Sequence, residues 1–405
     1  MDSKRVHLLV AQFLFENNYK NALEAFTRES GFDYEENNSM KTSELISVLD
    51  EYKELTRKHV TNKVVEFLPG NGNYAKELLL SIPDLVGGEN ILAVRVTANG
   101  DLIAGSTQGL LSVVTLNTPL PSDETMLPFP SMIELHSAGI IALDIHPVKK
   151  DIILTGSMDR KCLLVKLLNA DEHHVLQTFE NHQKFVVKVR WSYSGKYFAT
   201  ASYDQSVCIY REISGGNDLN YELWKQIEYK GQVEGIAFQK NKDVILVSVR
   251  NDNNLHVVNL TGEEPQEDKQ INMNLLQDDY VSFTAMDISC SPDDNFVLVS
   301  TDQDRLIIFD LRTGSQVANF YGSLNDEYSQ PRSCWDPSAQ YIYSTSQDKS
   351  IMVWEISSQK VVEKLEGHTG IVRDLWYCEP LSVLVSCGFD GSVRFWNNGH
   401  KDEVS

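Results

Sequence analysis

Residues 384–396 read Leu-Val-Ser-Cys-Gly-Phe-Asp-Gly-Ser-Val-Arg-Phe-Trp. Apolar residues lead into Ser386, Asp390 and Gly391 make a tight turn, and Val393 and Phe395 then alternate with polar residues before Trp396. Two short strands around an Asp-Gly turn form a β-hairpin pattern. The same frame recurs upstream. Ser344, Asp348 and Trp354 keep its spacing, as do Thr200, Asp204 and Tyr210, and Thr155, Asp159 and Val165. Recurrence at roughly 45 residues signals a repeat architecture, in which each unit is a small sheet stacked on its neighbours.

Working outward, repeat units fall at 89–136, 136–179, 182–229, 233–273, 282–320, 333–365 and 367–396. A complete unit holds four strand-like runs. The last unit stops after its third, and an orphan run at 75–82, with three leucines, precedes the first. A ring in which the N-terminal strand completes the last sheet removes the open edge. The expected fold is therefore all-β, a seven-bladed β-propeller over 75–397, with a small α-helical module before it. The first unit is the least regular. It has Gln108 where the others have the turn Asp, and a polar insertion at 117–131.

Composition sets the outer bounds. The chain has 405 residues, 42% of them apolar, enough for one large repeat domain and a small module. No apolar run reaches about 18 residues and the N-terminus has no cleavage pattern, so neither a membrane span nor a secretory signal is expected. This points to an intracellular protein of cytoplasm or nucleus. The net charge is −21, which disfavours nucleic acid and anionic membrane as partners. The six cysteines form no Cys-x-x-Cys pair and read as small buried hydrophobes in a reducing compartment. No Cys/His cluster has metal-ligand spacing, and Gly-Gly at 87–88 and 215–216 lacks a phosphate-loop pattern, so no metal or cofactor is expected.

The first 30 residues carry two helical stripes. Val6, Leu9, Val10, Phe13 and Leu14 share one face, and Tyr19, Ala22, Leu23 and Phe26 share another, with Gly31 placed to end the second helix. Leu9, Phe13, Leu14, Asn18, Tyr19, Ala22, Ala25, Phe26, Glu29 and Ser30 together resemble the LisH motif. Asn18 stands where that family usually has Gly. The resemblance implies homodimerisation through Leu9, Phe13, Leu14, Tyr19 and Phe26. Two helices of this length cannot bury their stripes alone, which agrees. The expected organisation is LisH at 1–32, a short helix or coiled coil at 33–60, a linker at 61–74, the propeller at 75–397 and a polar tail at 398–405. The helical sequence after the LisH motif is too short for the CTLH domain that often follows it.

From 63 to 397 the repeats resemble the WD-repeat family. Trp354 and Trp396 stand at its third-strand position, while Val165, Tyr210, Val258 and Phe309 replace Trp elsewhere. His368, Ser386 and Asp390 together invite a hydrolase reading. Their repetition in other blades has no catalytic logic, and no oxyanion element accompanies them. In the family these residues and Trp396 form a structural hydrogen-bond chain, which Ser344, Asp348 and Trp354 copy in part. The family pattern also places certain positions on the propeller top: Ile141, Met158, Phe185, Val187, Tyr203, Ile371, Arg373 and Phe389. Met158, Phe185 and Tyr203 are expected as one apolar arc, facing Phe389 and Arg373 across the ring.

The expected function is a non-catalytic dimeric scaffold or adaptor that binds proteins or peptides on the propeller surface. Relatives of this layout serve dynein regulation, corepressor complexes, splicing and ubiquitin ligases. One alternative is a dynein or nuclear-migration type regulator. Another is a cullin-ligase substrate receptor, carried by Ile307-Ile308-Phe309-Asp310-Leu311-Arg312, which resembles an adaptor-docking box with Phe for Trp.

Overall fold

The computed structural model describes residues 3–16, 19–31, 67–97, 100–116, 120, 127–168, 172–213, 219–275, 277–325 and 330–399. The helix expected within 33–60, most of the insertion at 117–131 and the end of the polar tail lie outside the described residues. The chain divides into two units, Met1–Val64 and Val65–Ser405.

The first unit holds α1, Ser3–Glu16, and α2, Lys20–Ser30. The chain reverses at Tyr19, whose N–H donates to the Leu14 carbonyl and whose carbonyl accepts from Leu23 N–H, both at 2.9 Å. Two ring contacts join the helices: His7 edge-on to Phe26 at 5.7 Å, and Phe13 against Tyr19 at 6.4 Å. Gly31 stops α2 in the left-handed region at φ 64°, donating its N–H to the Thr27 carbonyl. That conformation is costly for any residue with a Cβ. Leu9 and Ala11 are buried, whereas α2 has no buried residue despite its amphipathic pattern.

The second unit is a seven-bladed β-propeller of seven four-stranded sheets. The innermost strands of blades 1 to 7 are Ile91–Val96, Ile140–Ile145, Val186–Trp191, Val233–Phe238, Ala285–Cys290, Ser333–Trp335 and Val372–Cys378. Each packs against the innermost strand of the next blade, and blade 7 returns to blade 1. Because every sheet lies between two others, its inner strands are buried on both faces and read as apolar runs, as in Ile152–Ser157. Outer strands such as Gln266–Asn272 are largely exposed and polar.

Blade 7 takes its fourth strand from the other end of the unit. Glu77–Ile82 pairs antiparallel with Val393–Asn397, with Leu80 opposite Phe395 and Ile82 opposite Val393. Leu80 and Ile82 enter the core between blades 7 and 1, while Leu78 beside them is 45% exposed. The segment leading in is tied to blade 6. Gly70 N–H donates to the Glu355 carboxylate, Gly72 N–H to the Tyr341 hydroxyl and Ala75 N–H to the Tyr343 hydroxyl. The closing strand thus spans two blades.

Within blades, a hydrogen-bond chain fixes the hairpin between the second and third strands. In blade 7, Trp396 Nε1–H donates to Ser386 Oγ at 2.9 Å, and Ser386 lies 2.8 Å from His368 Nε2. His368 Nδ1 lies 2.9 Å from Asp390 Oδ2. An ionised Asp390 can only accept, so Nδ1 carries the proton and Nε2 accepts from Ser386. Blades 2 and 3 repeat this with His136, Thr155 and Asp159, and with His182, Thr200 and Asp204. In blade 3, Tyr210 replaces Trp and donates instead to Asn181. In blade 6, Trp354 donates to Ser344 at 3.2 Å, while Ser350 and Lys364 hold Asp348. Blade 4 reverses the geometry, with His256 on the third strand between Asp252 and Glu267.

Two predictions follow from burial and linkage. Leu80→Ala should lower unfolding free energy by about 2–5 kcal/mol and Leu78→Ala by less than about 0.5, measured by urea unfolding of the full chain. Equal losses would contradict the pairing register. Burial lowers the pKa values of His368 and His136, although their aspartates pull the other way. The unfolded imidazole titrates near about 6.5. Stability from these sites is therefore full above that pH and declines as pH falls through it towards the lower folded values. Burial tends to raise the Asp390 pKa, but His368 and hydrogen bonds from Ser392 and the Thr369 amide outweigh it and bring it to about 2. That contribution is lost only as pH falls below the ordinary 3.8 through about 2. Burial works against the His256 charge, but Asp252 and Glu267 outweigh it and raise its pKa, which gives the opposite slope. The loss of urea midpoint between pH 7.5 and 5.5 should therefore be smaller in His368→Asn than in the wild type; an unchanged loss would contradict a neutral, buried imidazole at 368.

Candidate functional site

Two backbone features set side chains at one end of the innermost strands. The first is a bulge. Six innermost strands shift register after their first residue, leaving Leu92, Ile141, Val187, Glu234, Met286 and Arg373 as the extra residues. A bulge re-aims one side chain out of the ladder. The short innermost strand of blade 6 has none; Arg332 precedes it and bonds both the backbone and the hydroxyl of Thr345.

The second feature is a backbone bond from the residue before the turn. Met158 N–H donates to the Gly139 carbonyl, Tyr203 to Phe185, Gln347 to Leu324 and Phe389 to Ile371, at 2.9 to 3.2 Å. Thr107, Arg250 and Asp302 make the same bond in blades 1, 4 and 5. Each turn is thereby held against the loop that enters its own blade.

These features converge on one pocket of about 300 Å³, where Leu92, Ile141, Met158, Ile371, Arg373 and Phe389 line its wall. Five of the residues singled out from the sequence meet here; Leu92 was missed. Every repeat has a residue at its position, but the register shift that re-aims it is not written in any residue type. Of the apolar arc expected from Met158, Phe185 and Tyr203, Met158 and Tyr203 both pack against the cluster that holds Ile141 and Val187. Met158 joins Ile371 and Phe389 in the pocket, whereas Phe185 is exposed outside its wall. Tyr203 is half-buried; its hydroxyl donates to Glu234 and accepts from Gln330 Nε2. Val187 is as little exposed as Leu92, at 6%, and packs in one core cluster with Leu92 and Ile141, but it does not line the pocket.

The bulge residues are apolar in blades 1, 2, 3 and 5 and charged in blades 4 and 7, where they are Glu234 and Arg373. Glu234 meets Arg250 at 2.5 Å. Arg373 donates through both terminal nitrogens to Gln330, to its backbone carbonyl at 3.3 Å and to its side-chain oxygen. Burial, with Arg332 alongside, brings the Arg373 pKa down to about 10, so the guanidinium stays charged at neutral pH. Further buried pairs join the innermost strands. Arg95 meets Asp374 at 2.7 Å, joining blades 1 and 7. Lys188 of blade 3 reaches Asp287 of blade 5 at 2.6 Å, past blade 4, and Arg332 approaches the same carboxylate at 3.5 Å.

The other singled-out residues lie elsewhere. His368, Ser386 and Trp396 are buried inside blade 7, and Ser386 is fully inaccessible with its oxygen already bonded to Trp396 and His368. No substrate can reach it there. Among the helix residues, Leu9 is buried, Phe13, Leu14 and Phe26 are half-buried and Tyr19 is exposed. In the docking-box segment, Ile307, Ile308 and Phe309 are core residues, and Asp310 accepts from the Arg312 and Thr313 amides as turns commonly require. All six cysteines are free thiols. No helix among the described residues is long and apolar enough to cross a membrane.

Comparison with known proteins agrees with this architecture. Residues 4–32 match the LisH domain model, and residues 173–211, 318–355 and 359–397 match the WD domain, G-beta repeat. WD repeat-containing protein 26 homolog of Arabidopsis thaliana is 23% identical over 270 residues, covering 64% of this chain and 41% of that protein. Pre-mRNA-processing factor 17 of Homo sapiens is 21% identical over 332 residues, covering 70% and 55%. The similarity therefore spans about half the length of these relatives. WD40 and LisH domains generally mediate protein–protein interaction and dimerisation, and WD40 propellers are generally non-catalytic. The chain pairs an N-terminal LisH domain with a WD-repeat β-propeller.

Proposed function

We propose that the chain is a non-catalytic, homodimeric intracellular adaptor whose propeller holds a peptide segment of a partner protein at the channel mouth. The observation that carries this reading is the pocket itself. Met158, Ile371 and Phe389 come from two blades on opposite sides of the first, and the two rings bring them onto one wall. Exposed apolar and aromatic side chains beside an arginine are the residue types that dominate protein interfaces. The burial of Ser386 supports a scaffold rather than a hydrolase, and the net charge of −21 supports protein rather than nucleic acid as partner.

Dimerisation is supported by α2, an amphipathic helix with no buried residue. Pairing two propellers raises avidity through effective concentration, without any new contact at the mouth. Replacing Leu14 and Tyr19 together by Asp in the full chain should halve the mass measured by light scattering. The propeller's unfolding midpoint should not change. An unchanged mass would remove the LisH dimer from this reading. For the mouth, Met158→Ala with Phe389→Ala should weaken partner-peptide binding at least tenfold at unchanged thermal stability. Undiminished binding would move the partner site elsewhere.

A further inference from the structure

We propose that the pocket at the channel mouth selects a peptide with a large apolar side chain next to a carboxylate, the carboxylate pairing with Arg373. This rests on the reading of the mouth as the partner site and specifies its ligand.

Charge complementarity selects this ligand, in a chain of the opposite overall sign. With a net charge of −21, the molecule would be expected to favour basic segments. Its innermost strands and the residue before blade 6 distribute charge otherwise. They gather Arg95, Lys188, Arg190, Arg332 and Arg373 with Asp144, Glu234, Asp287 and Asp374. Asp374 takes Arg95, while Asp287 is shared by Lys188 and Arg332. Among the described residues, the hydrogen-bond acceptors of the Arg373 guanidinium are both on Gln330, a neutral side chain and a carbonyl. Asp374 follows Arg373 directly, but its carboxylate is committed to Arg95 and the Val94 amide. A half-buried guanidinium whose acceptors are a neutral side-chain amide and a backbone carbonyl lacks a carboxylate in direct contact, and it lines an open pocket. Two parallel N–H donors suit a carboxylate, and a charge-assisted pair is about twice as strong as the neutral bond it replaces.

Gln330 then acts as an internal stand-in. Its side-chain oxygen occupies a position that a ligand carboxylate would take, while its amide nitrogen is tied to the Tyr203 hydroxyl at 2.9 Å. Leu92, Ile141, Met158, Ile371 and Phe389 leave about 300 Å³ beside it, room for one large aliphatic or aromatic side chain. The acidic exterior does not prevent such binding. At physiological salt its field is screened beyond about 8 Å, whereas the half-buried Arg373 guanidinium acts at contact.

The test uses the full-length chain and fluorescein-labelled, end-blocked hexapeptides. Each carries one Leu or Phe, with Asp, Glu, Asn or Lys placed one to three residues away. Binding is read by anisotropy in 0.15 M salt. The expected result is at least tenfold tighter binding of Asp or Glu members than of their Asn counterparts. Arg373→Gln should collapse that ratio to near one, and Arg373→Lys should retain part of it. Gln330→Ala should tighten acidic members several-fold and leave Asn members unchanged; it also keeps the proposal testable if Arg373→Gln fails to fold. A wild-type ratio near one, or a preference for Lys members, overturns the carboxylate assignment. If Phe389→Ala still weakens every member in that case, the mouth remains the partner site. If no member binds, or Phe389→Ala has no effect on those that do, the mouth reading falls with it.

Discussion

The backbone pairing of Glu77–Ile82 with Val393–Asn397 closes the ring, and the propeller is organised around it. Val393–Asn397 would present its outer row of N–H and C=O groups to water or to another chain. Glu77–Ile82 covers that edge, and Leu80 and Ile82 add buried apolar area on the side facing blade 1. Closure makes blade 7 a composite of two distant segments. It also brings Val372–Cys378 against Ile91–Val96, which places Arg373 and Phe389 beside Leu92 at one wall of the mouth. The pocket is therefore a consequence of the ring being closed, not of any single repeat.

The channel has its own energetic logic. Bulged residues leave the ladder, so their side chains need not follow the apolar alternation of the strands around them. Three bulges hold aliphatic residues that share one cluster, and others hold Glu234, Met286 and Arg373. Burying charge is favourable only when geometry and hydrogen bonding offset desolvation. The pairs joining Arg95 with Asp374 and Lys188 with Asp287 supply that geometry across blades that are not adjacent in sequence, although Arg95 Nε has no acceptor among the described residues. Such pairs act between blades, and removing one partner would leave the other buried and unmatched. Matching to carboxylates is incomplete at Arg190, whose acceptors are backbone carbonyls, and at Arg373, and of the two Arg373 lines the pocket.

Much of the fold could be read from residue types, because each repeat must solve the same local problem. The Asp turn, the His and Ser or Thr partners and the terminal Trp all mark one hairpin, and the missing fourth strand of the last unit pointed to the orphan run at 75–82. The irregular blades were harder for definite reasons. Blade 1 lacks the turn Asp, yet Ser106 Oγ accepts from the Gln108 and Leu110 amides and closes the turn by other means. Blade 4 places its histidine on the third strand, so a search for a histidine in the entering loop fails there. The mouth was only partly legible. The resemblance to the WD-repeat pattern pointed to Ile141, Met158, Ile371, Arg373 and Phe389, but the Gln330 bridge depends on contacts 43 and 127 residues apart.

The hydrogen-bond chain in blade 7 also reaches the pocket. Asp390 accepts from His368, from the Thr369 amide and from Ser392, which anchors the turn to the loop entering the blade. Phe389 is the residue immediately before that Asp, and its own N–H is bonded to Ile371. With both sides of the peptide held, the Phe389 side chain has little freedom except towards the pocket, where Ile371 is also exposed. The same coupling acts in blade 2, where the chain through His136 and Asp159 fixes Met158. Residues resembling a catalytic set thus serve as the rigid mounting for two pocket side chains. Pre-organising those side chains lowers the entropy lost when a partner binds.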